Sequence, residues 1–237
     1  LHLRASSSHY IFLMHGLGCS KESFDHAYTS SALDGYSICA FDFIGFGGSS
    51  KPKDFSYDLD DQAAIVTAFI ETFSPKKITL VGHSMGGGIA LLCSARLGSK
   101  LHSLISAEGN VASGDTSLVT RILARTPMGG FLFKCVLAAC GLLSPNFKVW
   151  SGWCSQASSQ AIRLSALSLA KWSDSGKFMP LFLSLPSVYI YGKEGRRAKS
   201  SDLLSIPRKI SIEHTGHFMI IENPQDFYEA IAIELTK

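Results

Sequence analysis

Four apolar runs, Tyr10–Met14, Tyr36–Phe41, Ile78–Val81 and Leu101–Ala107, recur along the first half of the chain, with helical stretches between them. The first two read as continuous apolar runs. A strand with one wet face alternates apolar and polar side chains, whereas a strand covered on both faces is apolar throughout, which is the mark of a parallel sheet sandwiched between helices. Helices are expected over about Lys21 to Leu33, about Tyr57 to Phe73, and Met85 to about Leu97. The fold class is therefore α/β, with a mostly parallel central sheet and helices on both faces.

The rhythm stops after Ala107. From about Val111 to Pro180 helical patterns continue, with Trp150, Trp153, Trp172 and many small residues, but no strand pattern. It resumes at Val188–Tyr191 and Lys209–Ile212 and closes on a helix opened by Asn223-Pro224, an N-cap followed by a proline at the first helical position. Residues 1–110 and 181–237 are expected to form the sheet core, and residues 111–180 a helical insertion. No internal repeat is present. A chain of 237 residues that is 46% hydrophobic can bury a full core, which excludes disorder.

Composition excludes several other classes. A net charge of +3 and an isoelectric point near 8.5 are mild, and basic residues are dispersed except in Arg196-Arg197-Ala198-Lys199, read as a solvated loop, so no nucleic-acid partner is expected. The six cysteines, Cys19, Cys39, Cys93, Cys135, Cys140 and Cys154, form no C-x-x-C pair and sit mostly in apolar runs. They read as buried free thiols of a reducing, cytoplasmic compartment. Nothing at the start of the chain marks secretion. The longest apolar stretch, Met128 to Leu143, is interrupted by Lys134 and falls short of the roughly 20 residues that cross a bilayer, so no transmembrane segment is expected. H-E-x-x-H and clustered ligand spacings are missing, and neither a metal nor an organic cofactor is expected.

Gly82-His83-Ser84-Met85-Gly86 follows the third apolar run and opens a helix. In such a G-x-S-x-G turn the chain reverses from strand to helix over one strained residue, so the positions two before and two after it must be small. The bend pushes the hydroxyl of Ser84 outward, which makes it the expected nucleophile. His217, in Thr215-Gly216-His217-Phe218, follows the last strand and so lies at the edge where Ser84 emerges. It is the expected general base. His214 stands before the glycine turn and reads as a surface residue. His15-Gly16-Leu17-Gly18 follows the first strand, where backbone N–H groups of Leu17 and Met85 would receive an oxyanion.

Two carboxylates compete to orient His217. Glu108 closes the strand after the Ser84 helix, and Glu194 closes the next one. Glu108 is favoured, because a carboxylate ending an apolar strand is costly unless paired, whereas Glu194 stands among Lys193, Arg196 and Arg197. Asp42, at the head of Asp42-Phe43-Ile44-Gly45-Phe46-Gly47-Gly48-Ser49, reads as the tie of its own glycine-rich loop. That loop lacks the Gly-Lys-Ser/Thr of a phosphate cradle.

Together these motifs resemble the α/β-hydrolase superfamily: His15-Gly16-Leu17-Gly18, the Asp42 to Ser49 loop, Gly82-His83-Ser84-Met85-Gly86-Gly87, and Gly216-His217-Phe218 with Glu222-Asn223-Pro224. The resemblance runs from one end of the chain to the other. It implies a helical cap after the sixth strand of that fold, matching about 111 to 180 and forming one wall of the pocket. Many members carry an Asp where this chain has Gly195, and a minority, such as haloalkane dehalogenases, place the acid where it has Glu108. Those dehalogenases use an Asp nucleophile, so Ser84 argues against halide chemistry. The leading hairpin usual in the family looks truncated or absent. The implied activity is hydrolysis of an ester or related acyl bond through acyl-Ser84. The same groups could instead support carbon–carbon bond hydrolysis, perhydrolysis, or a non-catalytic small-molecule receptor. Phe131, Phe133, Trp150, Trp153 and Trp172 would suit an uncharged, hydrophobic acyl substrate.

Overall fold

A computed structural model describes the backbone of residues 1–237 and every side chain except those of Ser113 and Arg197. Arg197, expected in the solvated basic loop, thus lies outside the described side chains. Seven strands form one sheet: β1 (His2–Arg4), β2 (His9–Met14), β3 (Ser37–Phe41), β4 (Lys77–His83), β5 (Leu101–Ala107), β6 (Ser187–Gly192) and β7 (Lys209–Ile212). Their spatial order is β1-β3-β2-β4-β5-β6-β7. Every neighbouring pair is parallel except β1 with β3. β1 is a three-residue edge strand in the leading segment, which the sequence patterns do not reveal.

The continuous apolar runs have a direct structural cause. Phe12 and Met14 face one core with Leu80, Leu104 and Tyr189, while Ile11 and Leu13 face another with Val81, Ile105 and Ile190. Helices α1 (Leu59–Glu71) and α2 (Met85–Leu97) cover the first face, and α9 (Pro224–Leu235), preceded by the short α8 (Met219–Glu222), covers the second. Asn223 caps α9 through the Asp226 N–H, with Pro224 at its first turn. The helix expected over Lys21 to Leu33 is instead two short 3₁₀ segments, Lys21–Tyr28 and Ser31–Leu33. Phe24 leaves helical geometry in the first, and only Ser23, Phe24, Ala27 and Leu33 reach the interior.

Between β5 and β6 run α3 (Leu118–Arg125), α4 (Gly129–Gly141), α5 (Pro145–Ser155), α6 (Ser159–Asp174) and α7 (Phe178–Leu183). Their inward residues Phe133, Leu137, Ile162 and Leu169 join the first core, and α7 packs on α2. Among the described residues no helix is long and apolar enough to cross a membrane. Four cysteines are buried as expected, but Cys135 is exposed and Cys140 half-buried, both on α4.

Candidate active site

Because β2, β4, β5, β6 and β7 are parallel, the loops that leave their C-terminal ends meet at one edge of the sheet. Ser84 follows β4 at φ 53°, ψ −121°, a conformation that an L-residue holds only under strain. The flanking glycines are required by contact. A Cβ on Gly82 would lie 2.4 Å from the Gly86 carbonyl oxygen, and one on Gly86 would lie 2.2 Å from the Met14 carbonyl oxygen. Gly16 comes nearly as close to the bend, since its Cβ would sit 3.2 Å from the Ser84 Cβ.

Glu108 follows β5, also at positive φ, 46°, with its amide N–H donating to the Ile190 carbonyl. This turn aims its side chain across the end of β6. Glu108 is buried, its Oε1 accepts from the Gly192 N–H (3.3 Å), and its Oε2 faces His217 Nδ1 at 2.9 Å. A carboxylate accepts here, so Nδ1 carries the proton and Nε2 keeps its lone pair. Glu194 instead points to solvent, with His214 Nδ1 at 3.5 Å. Gly195 lies against the acid, for a Cβ there would be 3.0 Å from Glu108 Oε1.

Two further histidines support the loops from beneath. His15 is fully buried; its Nδ1–H donates to the Gly16 carbonyl (2.9 Å) and its Nε2 accepts from the Phe43 N–H (3.2 Å). His83 donates from Nε2 to the His217 carbonyl (2.8 Å), with the two rings 4.8 Å apart. Burial pushes the His15 pKa down to about 4, and burial, aided by nearby His217, pushes that of His83 down to about 3. Both rings are therefore neutral braces. Asp42 ties its loop by accepting from the Lys21 and Gly48 N–H groups and from the Lys21 ammonium. Burial alone would raise its pKa, but these bonds hold it below the usual range.

Ser84, Glu108 and His217 all line one cavity of about 230 Å³, together with Gly16 and Leu17. Among the described residues no acceptor is paired with the backbone N–H of Leu17 or of Met85, the latter being the first N–H of α2. Of the five aromatic side chains expected around a substrate, only Phe133 and Trp150 reach the cavity. Phe131 is 52% exposed, and Trp172 stacks on Phe178. Asn110, Thr116 and Ser117 also line the wall, so the cavity is less uniformly apolar than composition suggests.

Two supporting contacts have only faint sequence signals. Trp150 donates from Nε1 to the Leu17 carbonyl (3.1 Å), linking α5 to the glycine loop. Glu222 accepts from the Gly216 N–H (2.6 Å) and from the Asn146 amide (2.6 Å), fixing the turn before His217. A carboxylate just before an Asn-Pro cap was the available hint. Among the described residues no three His, Cys, Asp or Glu side chains converge as metal ligands would.

The family model for the alpha/beta hydrolase fold matches residues 10–157. The chain belongs to the alpha/beta hydrolase fold family. A 2-hydroxy-6-oxo-6-(2'-aminophenyl)hexa-2,4-dienoic acid hydrolase of Metapseudomonas resinovorans is 28% identical over 260 residues, covering 100% of this chain and 87% of that protein. Lipase 3 of Moraxella sp. (strain TA144) is 34% identical over 95 residues, 40% of this chain and 30% of its own. Several other relatives are likewise matched over only 26 to 36% of their length. Among solved structures, an esterase from Exiguobacterium antarcticum superposes with a TM-score of 0.77 at 18% identity, covering 100% of this chain and 95% of that one. A bromoperoxidase from Bacillus anthracis gives 0.80 at 19%, covering 99% and 95%. At such identities the likeness is one of fold. The sequence relatives of this chain include proteins named as hydrolases, esterases and lipases.

Proposed function

We propose that this hydrolase cleaves a carboxylic ester or related acyl bond through an acyl-Ser84 intermediate. One observation carries the assignment: His217 Nδ1 is tied to a buried carboxylate at 2.9 Å inside the cavity that strained Ser84 also lines. With Nδ1–H committed to Glu108, the free lone pair on Nε2 takes the Ser84 proton as Oγ bonds to the carbonyl carbon. The carbonyl π pair moves onto oxygen. The resulting oxyanion is received by the N–H groups of Leu17 and Met85, where a single such donor is worth about 10²–10³ in rate.

Collapse of that intermediate expels the alcohol oxygen, which takes the proton from His217 Nε2. Water then yields a proton to the same nitrogen, its oxygen attacks the acyl carbon, and the second collapse returns the proton to Ser84 Oγ. Glu108 offsets the imidazolium charge in both halves. Apart from substrate and water, every group in the cycle belongs to this chain.

Residues 111–180 act as a cap over this cycle, contributing Thr116, Thr120, Phe133, Trp150 and Leu169 among others to the cavity. A small acyl group fits against Phe133, Trp150 and Leu169, leaving Asn110 and Thr116 for its polar end. The buried thiols of Cys19, Cys39, Cys93 and Cys154 suit a cytoplasmic setting. Carbon–carbon bond hydrolysis is the alternative that a specific finding favours, because the relative matched over the whole of this chain is named for a dienoic acid substrate. Multiple turnovers of short and medium p-nitrophenyl esters, together with fluorophosphonate labelling lost in Ser84→Ala, are expected. Labelling that persists in Ser84→Ala removes it as nucleophile. Turnover of a 6-oxo-dienoic acid without ester turnover transfers the assignment to carbon–carbon cleavage.

A further inference from the structure

The helices above the cavity turn a second, apolar side to solvent. Of the seventeen large apolar side chains exposed among the described residues, eleven lie between 118 and 149. α3 exposes Leu118, Val119 and Ile122, and α4 exposes Phe131, Leu132 and Val136. Leu142 and Leu143, in the turn from α4 to α5, are each 88% exposed. Since α4 packs against both α3 and α5, these residues belong to one helical layer.

α4 is the anomaly within it. A helix apolar on all sides is normally buried, but α4 buries only Phe133, Leu137 and its two leading glycines. Its single charge, on Lys134, is turned to the carbonyls of Ser155 and Ala157. A surface that gathers apolar side chains in this way marks a site of interaction.

Charge identifies the partner. Residues 118–149, which carry this face, hold four Lys and Arg (Arg121, Arg125, Lys134 and Lys148) and no Asp or Glu. Arg121 is engaged by Asp174 from α6, and Lys134 by backbone carbonyls. Arg125, which ends α3 and also acts on Asp174 at longer range, and Lys148, beside Phe147 and Val149 on α5, are both exposed. A second copy of the chain docked on this face by two-fold symmetry would press two such cationic layers together. An anionic lipid surface instead receives the aliphatic side chains in its acyl region and neutralises the flanking cations.

We propose that the outer face of α3, α4 and the start of α5 docks on an anionic lipid surface. The inner residues of the same helices, Thr120, Phe133 and Trp150, line the cavity, so docking brings the site beside the lipid phase. The docking is independent of the catalytic assignment, because Ser84→Ala protein keeps the whole face and can be tested without turnover.

The experiment is flotation of Ser84→Ala protein with vesicles of phosphatidylcholine mixed with phosphatidylglycerol, and with phosphatidylcholine alone. The protein should float with the anionic vesicles, less so as salt is raised, and weakly with the neutral ones. Leu132→Ser/Val136→Ser should lower partitioning about tenfold or more without moving the thermal melt, since both positions are exposed. Leu118→Ser/Ile122→Ser is the substitute pair if the first does not fold. Arg125→Gln/Lys148→Gln should weaken binding to the anionic vesicles only. The proposal is overturned if the parent protein stays with the soluble fraction, if the serine variants float as well as it does, or if sedimentation without lipid reveals a dimer that Leu132→Ser/Val136→Ser dissociates.

Discussion

Replacing Glu108 by Gln removes one charge and almost no volume, and hydrogen-bond directions set its consequence. In the native site Oε1 accepts from the Gly192 N–H at 3.3 Å while Oε2 faces His217 Nδ1 at 2.9 Å. A Gln that keeps its carbonyl oxygen toward Gly192 turns its NH₂ toward Nδ1, which must then accept. The ring proton moves to Nε2, and His217 can no longer take the Ser84 proton. A wrong tautomer of this kind costs about 10⁴ in kcat, or roughly 5.5 kcal/mol of barrier. Flipping the amide restores the tautomer but sets NH₂ against the Gly192 N–H, two donors face to face in a buried site, at about 1–3 kcal/mol. That flip alone costs a factor of about 5–160, and the imidazolium then forms without the carboxylate charge that offsets it, so the loss should fall between about 10² and 10⁴ in kcat on a p-nitrophenyl ester, with the folded state retained by circular dichroism. A loss below tenfold, or an equal loss in Glu194→Gln, whose carboxylate faces His214 at the surface, would refute the assignment. A positive control exists at Gly195, whose φ is not in the left-handed region and whose Cβ would sit 3.0 Å from Glu108 Oε1. Gly195→Asp in a Glu108→Ala background should recover part of the lost activity.

Other expected outcomes follow from the supporting contacts. His15 is buried and neutral with its pKa depressed to about 4, so the unfolded chain takes up its proton first as pH falls. Its contribution is complete above pH 6.5 and lost progressively toward pH 4, of order 3 kcal/mol, and urea midpoints measured across that window should fall less steeply in His15→Gln. Gly86→Ala should abolish soluble folding or cut the melting temperature severely, because its Cβ meets the Met14 carbonyl at 2.2 Å, whereas Gly98→Ala, with open space around it but φ 56° and ψ −133°, should cost about 1–3 kcal/mol of backbone strain. Trp150→Phe removes the 3.1 Å bond to the Leu17 carbonyl while keeping an aromatic ring, and should lower kcat about fivefold with KM changed less. A change in KM alone would mean that Trp150 only packs against substrate.

Elements whose register depends on neighbours along the chain were legible. The four early apolar runs appear as strands β2, β3, β4 and β5 with ends shifted by at most two residues, because two covered faces leave few polar positions in the pattern. The segment 21–33 was not legible, since a few apolar residues at helical spacing look alike whether they form one helix or two short turns. β1 escaped for another reason. Its residues alternate in exposure on an edge, and only the pairing of His2, Leu3 and Arg4 with Ala40, Cys39 and Ile38 makes them a strand. On the insertion, composition announced apolar helices but not which side of each faces the cavity, so Phe131 and Phe133 looked equivalent although they lie on opposite sides of α4.

By itself the amino-acid order determined the parallel α/β sheet, the strained turn at Ser84 and the presence of an imidazole at the same sheet edge. Those follow from hydrophobic period, glycine spacing and strand polarity, all properties of local chain. Tertiary structure alone decided which carboxylate meets that imidazole. Glu108 and Glu194 end adjacent strands, and the choice turns on a positive φ at Glu108 that swings its side chain across β6, within reach of His217. The distance between side chains on neighbouring loops depends on how the strands are stacked, and no local pattern encodes it.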